Sequence, residues 1–531
     1  MSSFSVHLRI PVLTFSVSAL LLINEMSFGQ SHPNSPVFKD YRSSPFTSFL
    51  EASDATYQLW QGFMLVRQAN AGDVLAQHEL GLRYLTGKGF TADTIKGAFW
   101  IQKAADRNLV TAKYNLAILQ YNGWGMQWNP FTAYKNFRTC AEKDMPEGEY
   151  VLGQFFGDNL VVARNWETAY MWVKKAADAG LEVAKEALPE FARRTSRGML
   201  GASGADTKKG TQRDSTVQRP PAQGQTLDLV FLDFAEDTSN HASDATLLRD
   251  ALRNSNTAVR TALGLRDTAK STIEVDSAGL QTIRNAAEAG SPEALTILGR
   301  CYEKGIAIRK NLVMAASAYV RAIRLDSPRA SELLWNLIQQ KDLVDQIVKG
   351  ATSNDPEAQF AWASMFALGF NPGMFHPRVQ LTDDQALRML QSAAARDHVQ
   401  SIIELGLNYY AGRWVKQDYA AARALWKRAV TLGSAEAELR LAVTVVREDE
   451  DLASDSTAVD LLQKAMQDGS VLAQVMLAYC YENGRGVPQN KAEAVLLYRA
   501  GAQRGSQDAY RSLTRMYDEI RPGDAEFRIS N

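Results

Sequence analysis

Residues 473–505 read AQVMLAYCYENGRGVPQNKAEAVLLYRAGAQRG, and Gly505 at the end of this stretch belongs to a series of residues spaced 36 positions apart. The series contains only glycine, asparagine and aspartate: Gly72, Asn108, Asp144 and Gly180, then Asp397, Gly433, Gly469 and Gly505. These residue types best tolerate the left-handed backbone that a helix needs when it ends in a tight turn. A fixed period of this length is typical of a helical repeat array. We therefore predict an all-α fold.

A small and then a large side chain follow each turn residue at fixed offsets. Four positions after the turn the residue is small: Ala76, Ala112, Gly148, Ala184, Ala294, Ala330, Ala358, Ser401, Ala437, Ala473 and Ala509. Eight positions after the turn it is large and apolar: Leu80, Leu116, Leu152, Leu188, Leu298, Leu334, Trp362, Leu405, Leu441, Leu477 and Leu513. Both offsets lie on one face of a helix, so the pattern predicts an amphipathic helix that a neighbour approaches closely at the small residue.

A second helix completes each repeat. Glycines such as Gly87, Gly123 and Gly484 predict the end of the first helix and a short loop. Four residues before the next turn the side chain is again small, as at Ala104 and Ala429. One helix pair cannot bury its apolar face alone, whereas stacked pairs can, so we predict an α/α solenoid.

These residues resemble a known family. The stretches Ala473–Gly505 and Ala76–Ala105 are similar to Sel1-like repeats, a subclass of tetratricopeptide-like helix pairs, and Ala112–Gly180 and Ala294–Ala322 are similar but less regular. The resemblance implies a right-handed α-solenoid that acts as an adaptor in signalling, secretion or envelope assembly. The pattern is irregular at Trp335, at the insertion Phe370–Asp384, and in the step of 28 residues from Asp326 to Asn354.

The N-terminus predicts export. An apolar run of 14 residues, Ile10 to Ile23, follows Arg9 and precedes the small residues Ser27 and Gly29. The run is too short to span a bilayer comfortably and is typical of a secretory signal peptide, so we predict cleavage after Gly29 and a periplasmic or extracellular protein. The alternative is that the segment is retained as a membrane anchor.

The rest of the chain divides by composition. We predict a signal peptide at 1–29, a disordered segment at 30–48, a first repeat array at 49–194 and a flexible disordered linker at 195–225. A capping or connecting segment at 226–276, a second array at 277–520 and a tail at 521–531 follow.

The composition and the motifs of the chain give no indication of catalysis or of metal or cofactor binding. The net charge of −1 gives no bulk attraction to nucleic acid, and the three cysteines are too few for a disulfide framework. We find no metal-ligand spacing, phosphate loop or nucleophile motif, and therefore predict no catalytic residue, no metal site and no cofactor. We expect His78 and His398 to lie on helix surfaces rather than to bind a metal.

Three tryptophans are the candidate partner-binding residues. Trp124, Trp128 and Trp414 fall in the loops between paired helices, where a buried aromatic is less expected than on a helix face. A loop tryptophan can anchor a partner because one ring buries a large area. The alternative is that these rings fold back over the edge of the solenoid.

Taken together, the sequence predicts a non-catalytic scaffold in the bacterial cell envelope that binds a protein or peptide partner on its concave face. One alternative is a cell-wall or exopolysaccharide accessory protein that contacts peptidoglycan or another polysaccharide through loop aromatics. A third hypothesis is a hydrolase of β-lactamase type. The sequence contains no S-x-x-K or K-T-G motif, so this hypothesis is disfavoured.

Overall fold

The computed structural model describes residues 55–195, 277–448 and 452–529, apart from residues 372, 374, 377 and 378. The predicted signal peptide, the segment 30–48, the segment 226–276 and all but the first residue of the predicted linker lie outside the described residues. Within the described residues the structure contains 22 α-helices and no strand, arranged as two repeat arrays. The predicted all-α solenoid is confirmed.

Eight helices lie in the first array and fourteen in the second. The first eight are α1 Ala55–Asn70, α2 Val74–Thr86, α3 Thr94–Asp106, α4 Val110–Asn122, α5 Pro130–Ala141, α6 Pro146–Asp158, α7 Trp166–Asp178 and α8 Glu182–Arg194. The next seven are α9 Ser277–Glu288, α10 Pro292–Lys304, α11 Leu312–Arg324, α12 Pro328–Ile338, α13 Lys341–Thr352, α14 Pro356–Ala367 and α15 Asp383–Ala394. The last seven are α16 Val399–Ala411, α17 Tyr419–Thr431, α18 Ala435–Glu448, α19 Leu452–Gln467, α20 Val471–Asn483, α21 Lys491–Gln503 and α22 Gln507–Glu519, followed by a 3₁₀ turn at Ala525–Phe527.

The chain forms two compact units. Among the described residues, the first unit contains 55–152 and 171–195, and the second contains 153–170, 277–448 and 452–529. The loop between α6 and α7 therefore belongs to the second unit, where Arg499 forms a buried ion pair with Asp158 at 2.7 Å. Arg521 donates to the main-chain oxygens of Leu160 and Val161 in the same loop.

The turn residues adopt the conformation that their spacing predicted. All eight members of the series have positive φ, from 56° at Asp144 to 102° at Gly469. Asp326 and Asn354, which bound the irregular step of 28 residues, also have positive φ, at 67° and 59°. The step is short because α12 and α13 are joined by only two residues.

Helix α20 shows how local chemistry defines both ends of the first helix of a repeat. In α20 the side chain of Ser470 accepts a hydrogen bond from the main-chain N–H of Ala473, and Gly484 ends the helix with φ of 70°. A side-chain acceptor satisfies one of the N–H groups that the first turn leaves unpaired, and a left-handed glycine lets the chain reverse. The next helix then packs back against its partner.

The small residues bring the paired helices together. Ala112, Ala294 and Ala437, each four positions after a turn residue, have no exposed surface. Leu80, Leu334 and Leu513, each eight positions after a turn residue in other repeats, are equally buried. The glycines one position further on permit a still closer approach. A Cβ atom built on Gly406 would lie 2.3 Å from the indole Nε1 of Trp426 on the next helix. The predicted small-then-large stripe is therefore the packing interface.

The expectation that His78 and His398 lie on helix surfaces was wrong. His78 is fully buried and lies 2.8 Å from the Asn115 amide of the next repeat. His398 caps α16 by accepting from the N–H of Ser401, and its other ring nitrogen lies 3.0 Å from Glu357. Each histidine contacts a residue of a neighbouring repeat. Such a contact depends on how the repeats stack, so the pattern of a single helix does not predict it.

Within the described residues, the helices are all too short or too polar to cross a lipid bilayer.

Candidate functional site

The two tryptophans predicted as anchors in the first unit pack against its core. Trp128 is buried, with 6% of its surface exposed. Trp124 is half-buried and packs on the cluster that contains Leu116 and Leu119. Only Trp124 therefore offers a substantial surface to a partner, and the anchor role of both residues stays a prediction.

Trp414 of the second unit has an unusual backbone. Its φ is 61°, the left-handed conformation that glycine adopts at the equivalent loop positions Gly89, Gly125 and Gly486. A bulky side chain in this conformation stores strain that surrounding contacts must offset. The half-buried ring stacks on Phe366 with centroids 5.8 Å apart. Its role as a partner anchor stays a prediction.

A surface that the sequence did not predict forms where turns of the second unit meet. We call it the inner surface, and it comprises residues 290–293, 321–327, 404–410, 426, 434–447, 469–475 and 504–508. The contacts join repeats that are far apart along the chain. Arg504 pairs with Glu293 through two hydrogen bonds of 2.8 and 2.9 Å across 211 residues. Ser506 donates to Asp326 at 2.9 Å across 180 residues.

Buried ion pairs hold this surface together. Arg321 donates to Glu436 at 3.1 Å across 115 residues, and both side chains are almost fully buried. Arg324 forms a two-point pair with the buried carboxylate of Glu404. Breaking a buried pair leaves an uncompensated charge, so these contacts fix which repeats face each other.

A cavity of about 200 Å³ opens on the inner surface. One part of its wall is apolar and consists of Leu325, Leu407, Val443, Leu472 and Val475, together with the rings of Tyr410 and Trp426. The other part is charged and consists of Arg324, Asp326, Arg440, Arg447 and Asp508. Arg447 and Asp508 are exposed and mark the side that faces solvent. The volume is below the usual 300–1,000 Å³ of small-molecule and cofactor pockets, so the cavity suits one side chain or a chain end.

Most of the charged groups in the wall are already satisfied. Arg324 is neutralised by Glu404, and Asp326 accepts the hydrogen bond from Ser506. Burial raises the pKa of Asp326, with the nearby Asp508 carboxylate acting in the same direction and the Ser506 hydrogen bond opposing both.

Arg440 differs from the other arginines in the wall. Its side chain is 11% exposed, and its Nε and Nη2 atoms are buried without a hydrogen-bond acceptor among the described residues. The nearest carboxylate oxygen, Oε1 of Glu436, lies 3.5 Å from Nη2, and that carboxylate already accepts from Arg321. A distance of 3.5 Å lies within the 4 Å range of an ion pair, so Arg440 and Glu436 are paired by charge although the geometry is not that of a hydrogen bond.

The sequence profile of the Sel1 repeat matches the chain seven times, at residues 74–109, 110–144, 146–181, 292–326, 356–398, 399–434 and 471–506. The chain is a Sel1 repeat protein. Sel1 repeats generally mediate protein–protein interaction, and the fold is typically a non-catalytic scaffold. Six of the seven matches end within one residue of a turn residue predicted from the spacing of 36, and the remaining match ends at Asp326, a turn residue that also has positive φ.

Two solved structures are similar to this Sel1 repeat protein. One is a protective antigen of uropathogenic Escherichia coli strains with an SLR fold, at 18% identity, covering 88% of this chain and 92% of that chain with a TM-score of 0.27. The other is a Sel1 repeat protein from Oxalobacter formigenes, at 19% identity, covering 88% and 96% with a TM-score of 0.22. These TM-scores are too low to show that the repeats of this chain follow the same superhelical path as those of either solved structure.

Sequence reasoning missed the cavity in the Sel1 array. Arg440 lies seven residues after Gly433, the turn residue of its repeat, and has no motif around it. Its neighbours Asp326 and Asp508 come from repeats more than a hundred residues before it and nearly seventy after it. The only sequence signal is the charge itself, an arginine one position before the large apolar residue Leu441 of the stripe.

Proposed function

We propose that this protein is a non-catalytic scaffold that holds a protein or peptide partner on the inner surface of its second unit. The observation that carries the proposal is the open cavity at the meeting point of the repeat turns, lined by apolar side chains and by Arg440. Pockets of this kind accept anchor residues, which supply most of the binding energy of an interface. The membership of a family that generally mediates protein–protein interaction supports the same conclusion.

We further propose that the scaffold works in the bacterial cell envelope after export. The support is the apolar run Ile10 to Ile23 followed by Ser27 and Gly29. The intact mass of the protein purified from its source tests this directly. A chain that begins at Gln30 in the periplasmic or secreted fraction is expected, whereas a full-length chain in the cytoplasm contradicts export.

Site-specific photo-crosslinking tests the scaffold. A photo-reactive amino acid placed at Val443 in the cavity wall should capture a discrete protein in the source cells. The matched control is the same amino acid at Arg388, an exposed residue of α15 outside the inner surface. Equal capture at both positions, or capture at Arg388 alone, would contradict binding on the inner surface.

A second candidate function is contact with glycan, and one observation favours it. Trp335 and Phe375 are exposed by 40% and 39%, and their rings meet edge to face with centroids 5.3 Å apart. Phe375 belongs to the irregular insertion after α14, and exposed aromatic faces of this kind suit sugar rings as well as protein. Retention on purified peptidoglycan that is lost in Trp335→Ala supports this function. Retention that is unchanged in Trp335→Ala excludes this pair of rings.

A further inference from the structure

The four most exposed large apolar side chains among the described residues all lie in the first unit. Ile95, Phe63, Met171 and Phe99 are 71%, 65%, 55% and 52% exposed. Phe63, Phe99 and Met171 each lie nine residues before a turn residue, and Ile95 lies one helical turn before Phe99 on the same face of α3. We call these four residues the apolar row. Single exposed apolar side chains are normal, whereas a series of them marks an interaction surface.

The packing of the repeats does not require an apolar residue at this position. In the second unit the exposed residues nine positions before a turn are Gln281, Asp345, Arg388, Ala424 and Asp460. None of them is large and apolar. The same exposed position is therefore compatible with polar and small side chains, and the repeat fold does not account for the apolar row.

Helices α1 and α3 are neighbours, so their exposed side chains belong to one surface. Trp100 of α3 packs against the cluster that contains Leu65 and Ala69 of α1. The ring of Phe99 meets the ring of Trp100 edge to face, with centroids 5.2 Å apart. Met171 continues the row at the same position two repeats further along the chain. The row therefore extends along the first array rather than around one groove.

Basic side chains accompany the apolar row. Each apolar residue nine positions before a turn is followed four residues later on its helix by a cation, namely Arg67, Lys103 or Lys175. Helices α1, α3, α5 and α7 together contain seven basic and three acidic side chains, a net charge of +4, although the whole chain has a net charge of −1. The Nζ atom of Lys103 lies 4.8 Å from the ring centroid of Phe99. Positive charge therefore borders the exposed rings.

The acidic groups near the row leave part of this charge uncompensated. Asp93 pairs with Lys96 at 2.9 Å, and Asp106 accepts a hydrogen bond from Gln102 at 2.7 Å. At the Met171 end of the row the cations are paired, Lys174 with Asp178 and Lys175 with Asp144 and Glu149. Arg67 and Lys103, in contrast, form no ion pair within the part of the chain that the structure describes. The positive charge that a partner can meet therefore lies beside Phe63 and Phe99.

A lipid bilayer suits this arrangement better than a folded protein does. Apolar side chains that stand singly on successive helices, with cations beside them, can enter the interfacial layer of a bilayer while the cations remain at the headgroups. Anionic headgroups add an attraction for each nearby lysine or arginine. The anchors of a protein interface instead cluster at the centre of one patch.

From this arrangement we propose that the apolar row docks on an anionic phospholipid bilayer. Phe63, Ile95 and Phe99 enter the interfacial layer, and Arg67 and Lys103 meet the lipid phosphates. This inference goes beyond the proposed scaffold function, because it concerns the first unit and a lipid surface rather than the second unit and a protein partner.

Co-sedimentation with lipid vesicles tests the inference. The protein is the chain from Gln30 onward, which keeps every described residue and removes the apolar run Ile10 to Ile23, so that this run cannot itself insert. The probes are vesicles of phosphatidylcholine alone and vesicles of equal parts phosphatidylcholine and phosphatidylglycerol. Binding to the anionic vesicles should be at least about tenfold tighter and should weaken as the salt concentration rises.

Two double variants assign the binding to the row. Ile95→Ser combined with Phe99→Ser should weaken binding to anionic vesicles by at least about tenfold, because two apolar side chains no longer leave water. Arg67→Gln combined with Lys103→Gln should weaken binding by about tenfold on anionic vesicles and should have no effect on neutral ones. The matched control Leu432→Ser removes an exposed apolar side chain of the second unit and should leave binding unchanged. Circular dichroism verifies that each variant is folded.

A polarity-sensitive dye locates the contact. The three natural cysteines are buried, so a dye can be attached selectively to an introduced thiol. The emission of a dye on Phe99→Cys should shift to shorter wavelength when anionic vesicles are added. The emission of the same dye on Leu432→Cys should not shift.

The opposite results overturn the inference. These are no binding to anionic vesicles, unchanged binding by the folded Ile95→Ser and Phe99→Ser variant, or a dye shift at position 432 and not at position 99. Two further results assign the row to another occupant and also contradict the bilayer. One is capture of a discrete protein by a photo-reactive amino acid at Phe99 without vesicle binding, and the other is self-association of the chain that the Ile95→Ser and Phe99→Ser variant loses.

Discussion

The substitution Gly299→Ala tests the close approach of paired helices. A Cβ atom at this position of α10 would lie 2.4 Å from Cε1 of Tyr319 on α11. The Tyr319 ring is fully buried, and its hydroxyl donates to Glu303 at 2.7 Å. The ring therefore either accepts the strain or moves and weakens that hydrogen bond, at a cost of about 1–3 kcal/mol. Alanine recovers about 0.5–1 kcal/mol of helix propensity, so the net loss should be about 0.5–2 kcal/mol in the free energy of unfolding.

Urea unfolding followed by circular dichroism measures this loss. The matched control is Gly62→Ala in the interior of α1, where the nearest atom to the built Cβ is Cζ of Phe90 at 3.4 Å. This is ordinary van der Waals contact, so Gly62→Ala should be neutral or should stabilise by up to about 1 kcal/mol. The packing account is refuted if Gly299→Ala is as stable as the unmodified chain or more stable.

Three further predictions concern acid stability, thiol reactivity and the strained loop. Burial alone would raise the pKa of Glu357, but hydrogen bonds from His398 and Ser317 bring it below its ordinary value of 4.5. The contribution of ionised Glu357 to the free energy of unfolding is therefore complete above pH 4.5 and is lost as the pH falls through the lowered pKa. Glu357→Gln should remove this part of the decrease of the unfolding free energy at acid pH, as measured by urea titration. Burial raises the pKa of the Cys140 thiol to about 12, so iodoacetamide at about pH 8 should modify it only after unfolding, and rapid labelling of the native chain, read by mass spectrometry, would contradict its burial. Trp414→Gly exchanges about 1–3 kcal/mol of backbone strain for a lost ring stack, so stability should change by less than about 2 kcal/mol, whereas photo-capture of the partner should fall if this ring is an anchor.

The sequence was sufficient to predict the repeat itself. Turn residues such as Asn108 and Gly433, and buried small residues such as Ala112 and Ala437, report on contacts within a repeat or with its immediate neighbour. Those contacts recur at one spacing, so they leave a periodic trace. The irregular step ending at Asn354 was also visible, because a shorter helix pair shifts the turn residue.

The contacts of the inner surface give no periodic signal in the sequence. The pairing of Arg321 with Glu436 depends on the small rotation between successive repeats, which accumulates over more than a hundred residues. No local pattern specifies the sum of those rotations. The buried His78 was missed for the same reason, since its partner Asn115 lies on the next repeat.

The positions of the loop tryptophans could be predicted from the sequence, but the orientations of their rings could not. Their position outside the helices was correct, but the sequence could not specify which way each ring points. Trp128 turns into the core, whereas Trp124 and Trp414 remain half-exposed. Ring direction depends on the packing of the adjacent repeat.

A double-mutant cycle between Glu293 and Arg504 tests most directly whether the first and last repeats of the second unit meet. The pair is nearly buried, forms two hydrogen bonds, and joins residues that are 211 positions apart. Unfolding free energies of Glu293→Gln, Arg504→Gln and the double variant should give a coupling of about 1–3 kcal/mol. A coupling below about 0.5 kcal/mol would mean that these turns do not touch, and that the inner surface with its Arg440 cavity does not form.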